Sequence, residues 1–143
     1  MNIIAIALAT LASFVIGFAW FNGKTFYPVW YRALGKEVPQ RPEVFTDADK
    51  REAGQMFGGT LLSQVGQSIA LAWIIDAFAK ANGNMNAGYG ALIGLVLGLG
   101  ISGLSSLPHR LFSQQGFKVW AIEVSGDIVA LIAMGAIIGA FAA

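Results

Sequence analysis

Val119-Trp-Ala-Ile-Glu-Val-Ser-Gly-Asp-Ile-Val-Ala-Leu-Ile-Ala-Met-Gly-Ala-Ile-Ile-Gly-Ala-Phe141 is the last long hydrophobic run of the chain. It has the length of a membrane-spanning helix. It also carries two carboxylates, Glu123 and Asp127, one helical turn apart on one face. A central acid costs roughly 2.5 to 3.5 kcal/mol on insertion, and each large aliphatic residue or Phe returns roughly 0.3 to 0.6. Two acids therefore leave this helix marginal by itself. They must face protein or water rather than lipid, and the helix needs partners.

Composition supports the same class. The 143 residues are 56% hydrophobic and only 12% charged, well below the charged fraction of ordinary soluble domains. Glycine is abundant, with 18 residues, as in membrane helices. The net charge of +1 gives no case for nucleic acid. Cysteine is absent, which removes disulfides and thiolate metal sites.

Three further runs supply the partners, giving four spans at about 3–22, 56–79, 87–107 and 119–141. The first lacks the basic flank of a signal peptide and its apolar run is longer than an h-region, so it reads as a retained helix. Ala5, Ala9, Ser13 and Gly17 recur every four residues along it, a smooth ridge for close packing. The second span carries a polar stripe, Thr60, Gln64, Ser68, Ala72 and Asp76, with Ser63 and Gln67 beside it. The third carries Gly90, Gly94, Gly98, Ser102 and Ser106, a tandem small-residue ridge that predicts tight helix packing. Pro108, His109 and Arg110 close that span, and residues 111–118 form a short loop.

The polar segment 23–55 begins with a short interfacial helix over 24–35. Pro28 suits its first turn and Gly35 its C-terminal cap. Trp20, Phe26, Trp30 and Arg32 read as anchors at headgroup level, as do His109 and Arg110 after the third span. Pro39 and Pro42 mark a loop. Thr46 reads as an N-cap, preceded by Phe45 and followed by Asp47 and Asp49 in the first turn. The helix that starts there runs into the second span, with a bend expected near Gly58 and Gly59. Basic residues fix the orientation. The loop 23–55 carries six Lys or Arg and loop 111–118 with its flank two, against Lys80 alone on the other side. That places both basic loops in the cytoplasm and both termini outside.

At this orientation Gln64, Gln67, Ser68, Ser102, Glu123 and Asp127 share the cytoplasmic half of the bilayer, with Asp76 at the opposite level. Two readings compete. In one, the group is a hydrated pocket for a cation, a proton or a polar substrate. In the other, amides and hydroxyls satisfy the acids and lock the bundle. No basic residue lies within the spans to neutralise the pair, so Glu123 and Asp127 are expected to share a proton or a cation and to titrate together. A metal site from Glu123, Asp127 and His109 has one histidine and no cysteine, and none is assigned. Gly98-Leu-Gly100-Ile-Ser-Gly103 matches a dinucleotide fingerprint literally but lies inside a hydrophobic helix with no preceding strand, so no cofactor follows. Ser105 and Ser106 near His109 form no nucleophile elbow, and no catalytic residue is assigned.

A second line comes from the aromatic pattern. Phe14, Gly17, Trp20 and Phe21 are followed by Phe26, Trp30 and Gly35. Trp120 opens the last helix, Gly126 stands midway, and Met134-Gly135-Ala-Ile-Ile-Gly139 closes it. Together these residues resemble a bacterial membrane family catalogued as domain of unknown function 1761. The resemblance covers the whole four-span layout. It implies an integral membrane protein and brings no catalytic residue.

The sequence thus predicts an all-α integral membrane protein in the inner (plasma) membrane, with four transmembrane helices plus a short cytoplasmic interfacial helix. It reads as non-enzymatic, associating with itself or with a membrane partner in the lipid bilayer; the span-one ridge would meet a second copy. The alternative is a small transporter or channel-like protein that uses the inner-half pocket.

Overall fold

Hydrophobic periodicity and cap chemistry together set six α-helices in the computed structural model, which describes residues 1–38 and 46–143. They are α1 (Ile3–Trp20), α2 (Tyr27–Ala33), α3 (Asp47–Asn82), α4 (Ala87–Leu97), α5 (Leu104–Phe112) and α6 (Gly116–Phe141). A π-helical stretch, Gly98–Gly103, joins α4 to α5, so the two run as one segment. Among the described residues there is no strand. Four helices are long and apolar enough to cross a membrane: α1, α3, the α4–α5 segment and α6. The protein is therefore all-α, with four spans and a short extra helix.

The caps explain most boundaries. Asn2 accepts the amides of Ile4 and Ala5 and starts α1. Thr46 and Asp49 form a reciprocal capping box that starts α3. α2 has Pro28 in its first turn, and Gly35, at φ 77°, lies just past its end. There the amides of Lys36 and Gly35 bond the carbonyls of Tyr31 and Arg32, a Schellman closure. Gly83, at φ 67°, ends α3, and Asn86 caps α4 by accepting the Tyr89 amide. Pro39, Pro42 and Phe45 lie outside the described residues. α3 runs as one uninterrupted α-helix through Gly58 and Gly59, and the interruption of α-helical bonding falls in the third span.

α6 is the axis. Its most extensive neighbour is α4, followed by α1. Glycines make the α4–α6 contact. A Cβ on Gly90 would stand 2.0 Å from the Gly135 carbonyl oxygen, and one on Gly94 2.1 Å from that of Leu131. Only hydrogen allows backbones this close. Gly98 continues the contact against Ile128. Then the expected ridge changes register. The π-turn inserts a residue, so Gly103 is buried against Val124 and Ser102 is turned partly away. The Gly103 carbonyl accepts the Trp120 indole N–H at 3.0 Å, which ties the π-turn to α6.

The core lies at one end. Ala5 and Ala9 of α1, Leu71, Ala72 and Ile75 of α3, and Leu131, Met134 and Ile138 of α6 close on one another with Met85. Three of the four span-one ridge residues are thus consumed inside the fold, and the fourth, Gly17, is half-buried. Ala5, Ala9 and Ser13 are each 0 to 1% exposed. They are not available to a second copy, which corrects the sequence expectation. The buried residues of α3 begin only at Ser68. Its first half therefore stands away from α1 and α6 and leaves a crevice.

Candidate functional site

The end bearing Lys24, Arg32, Arg110 and Lys118 holds two adjoining polar sites, and each takes one of the α6 acids. Glu123 belongs to the first. Its Oε1 accepts the Trp30 indole N–H at 2.9 Å. Its Oε2 pairs with Arg110 Nε at 2.7 Å. Arg110 Nη1 also donates to Gln115 Oε1 at 2.8 Å. Arg110 reaches inward because α5 continues through Pro108 to Phe112 and the turn to α6 is short. So a basic residue does neutralise one acid, contrary to the sequence reading. Glu123 is taken by Trp30 and Arg110, whereas Asp127 lines a separate cavity.

The tryptophans beside it also bond α6. Trp20 donates its indole N–H to the Ile122 carbonyl at 2.9 Å. Gly126 makes this possible, since a Cβ there would lie 2.9 Å from the Trp20 ring. Phe26 lies against Trp20 with centroids 4.6 Å apart, and Phe21 meets Trp30 edge-on at 5.4 Å. Trp20 and Trp30 therefore tie the α1–α2 connection to α6, with Phe26 packed on Trp20. Arg32 and His109 are exposed, as anchors would be.

Asp127 belongs to the second site, the crevice between α1, the first half of α3 and α6. Its volume is about 580 Å³, within the usual range for small-molecule sites. Its walls are mainly aromatic: Phe14, Phe18, Trp20, Phe21 and Phe57. Gly17 and Gly126 keep it open, and Thr60, Gln64, Ser13 and Asn22 add polar atoms. Among the described residues, Asp127 has no hydrogen bond or ion pair, and Gln64 Oε1 is buried without a partner.

The other predicted pocket residues are elsewhere. Gln67 is exposed and donates to Ser63 at 3.1 Å. Ser68 is buried, accepting from Thr10 at 2.9 Å and donating to the Gln64 carbonyl. Ser102 lies on the far segment, at the π-turn. Asp76 pairs with Lys80 at 2.7 Å and lines a separate cleft at the opposite end. Among the described residues no three His, Asp or Glu side chains converge as a metal-ligand set. The sequence reading missed Phe18 and Phe57 as walls and Arg110 as the partner of Glu123. One signal was present: Arg110 and Glu123 flank a tight turn between antiparallel helices.

The fold and these sites define a class: a small four-span helical membrane protein with an aromatic crevice and a separate tryptophan–glutamate–arginine clasp. Residues 4–139 match the family described as "Protein of unknown function (DUF1761)". The chain belongs to that family. No curated protein and no solved structure matches it.

Proposed function

We propose that this is a non-enzymatic carrier-like membrane protein that binds a guest in the crevice between α1, α3 and α6. The supporting observation is the crevice itself: an aromatic cavity of about 580 Å³ with an unpartnered carboxylate, Asp127, on its wall. Its lining includes no histidine, lysine or arginine among the described residues, which gives Asp127 no proton-relay partner for acid–base chemistry. A second reading, assembly with another copy or a membrane partner, draws on the first half of α3, where Met56, Phe57, Leu61 and Leu62 are exposed.

Purified protein in liposomes separates the two. A carrier gives solute or ion flux that Asp127→Asn abolishes. Absence of flux, together with dimers by single-molecule counting in lipid, would favour assembly. We place the protein in a cell's inner (plasma) membrane, and the excess of basic residues at the crevice end supports an orientation with both termini outside. A cysteine at Gln114 is then labelled only after the cytoplasm is opened, and one at Asn84 from outside. The reverse pattern would overturn the orientation.

A further inference from the structure

We propose that the crevice binds an amphiphilic organic cation, its charged centre at Asp127 and its apolar body against the aromatic walls. The inference rests on the guest-binding reading of the same crevice and names the chemistry of the guest.

The argument runs through what each polar group in the crevice already does. The Ser13 hydroxyl donates to the Thr10 carbonyl at 2.7 Å, and the Thr60 hydroxyl to the Met56 carbonyl at 2.7 Å. The Trp20 indole N–H is spent on Ile122. Asn22 Oδ1 is taken by the Lys24 amide. These hydroxyls, the indole and the Asn22 oxygen are engaged within the chain. Among the described residues, the Asp127 carboxylate, exposed on the crevice wall, has no hydrogen bond or ion pair, and the Gln64 Oε1 is buried without a partner. The nearby guanidinium of Arg110 is held by Glu123 and Gln115. The crevice therefore presents negative charge, with no cation on its lining among the described residues to meet it. A carboxylate within a span calls for a positive partner.

The walls decide what kind. A small hard cation takes about six to eight oxygen ligands, and the crevice offers few. Phe14, Phe18, Trp20, Phe21 and Phe57 instead offer ring faces, which attract diffuse organic cations and bury apolar groups. The volume holds a guest well above the size of a metal ion.

The test is equilibrium dialysis of the full chain in lipid nanodiscs of zwitterionic phosphatidylcholine, corrected with empty nanodiscs. The probes are tetraphenylphosphonium and its shape-matched anion, tetraphenylborate. Tetraphenylphosphonium is expected to bind saturably to the wild type. Binding should weaken about tenfold or more in Asp127→Asn, recover in Asp127→Glu, and stay unchanged in Asp76→Asn, whose carboxylate pairs with Lys80 at the other end. Gly17→Leu fills the crevice from a position where an added Cβ meets nothing within 4 Å. It should abolish binding without unfolding the chain, and it covers the case in which Asp127→Asn does not fold. Phosphonium binding untouched by Asp127→Asn or by Gly17→Leu overturns the inference. Saturable borate binding that Gly17→Leu abolishes would keep the crevice as a guest site and sink its preference for cations. No saturable binding of either ion would overturn both the inference and the guest-binding reading.

Discussion

Arg110 and Glu123 carry opposite charges into the α5–α6 hairpin, and removing one partner strands the other. The Glu123 side chain is only 18% exposed, and Arg110 38%. A fully buried pair broken on one side costs about 3–5 kcal/mol. Screening at the exposed arginine reduces this, so Arg110→Leu should destabilise by about 1–2 kcal/mol. The double variant Arg110→Leu, Glu123→Gln should recover part of that loss, as thermal melts in mild detergent would show. Additive losses would mean that the pair is not coupled. Gly126 acts by absence. Gly126→Ala pushes a methyl into the Trp20 ring and displaces its bond to Ile122. The expected cost is about 1–3 kcal/mol, with a red-shifted tryptophan emission as the indole meets water. An unshifted spectrum and melt would show that the ring yields freely.

Among the helices, α1 and α3 show most clearly where a pattern in sequence finds its use. The α1 ridge faces the core, so Ala9→Leu should disturb folding and leave any association of the folded fraction unchanged. Overpacking of this kind costs about 1–3 kcal/mol. Loss of dimers with an unaltered melting curve would contradict the buried position of Ala9. At the start of α3, Asp49 lies outside the spanning segment. The Thr46 hydroxyl, then the Thr46 amide, donate to its carboxylate and hold it below the usual carboxylate range. The sign follows: the cap's contribution is complete above the ordinary carboxylate value and is lost as pH falls through the lowered one. Hydrogen exchange in the first turn of α3 should therefore quicken at low pH, relative to the trend in Asp49→Asn. Parallel trends would remove the cap from the account.

Across the whole molecule, helix positions were legible because apolar runs, caps and small-residue ridges are local signals. Thr46, Pro28 and Gly35 act where the sequence put them. Inward or outward facing was not legible at the crevice end. A Trp, Phe or Arg beside a span reads equally well as a lipid anchor or as a docking group. Trp30 and Arg110 became docking groups only because α2 and α5 fold back onto α6, and Trp20 because α1 packs along it. The candidate pocket was half legible. Gln64 and Asp127 meet there, but Gln67, Ser68, Ser102 and Glu123 are drawn off by local bonds and by the π-turn.

That π-turn also sets a phase. A π-turn holds one residue more than the α-turn it replaces. Removing one residue from 98–103 resets the phase of everything after it by about 100°. Gly100 is the natural choice, because no neighbour stands within 4 Å of the space beside it. The shortened span would turn Ser102 back toward α6 and swing Arg110 away from Glu123. Deletion of Gly100 should thus erase the energetic coupling between Arg110 and Glu123 while leaving the Gly90–Gly135 contact intact, and coupling that survives would mean the hairpin takes up the slack elsewhere.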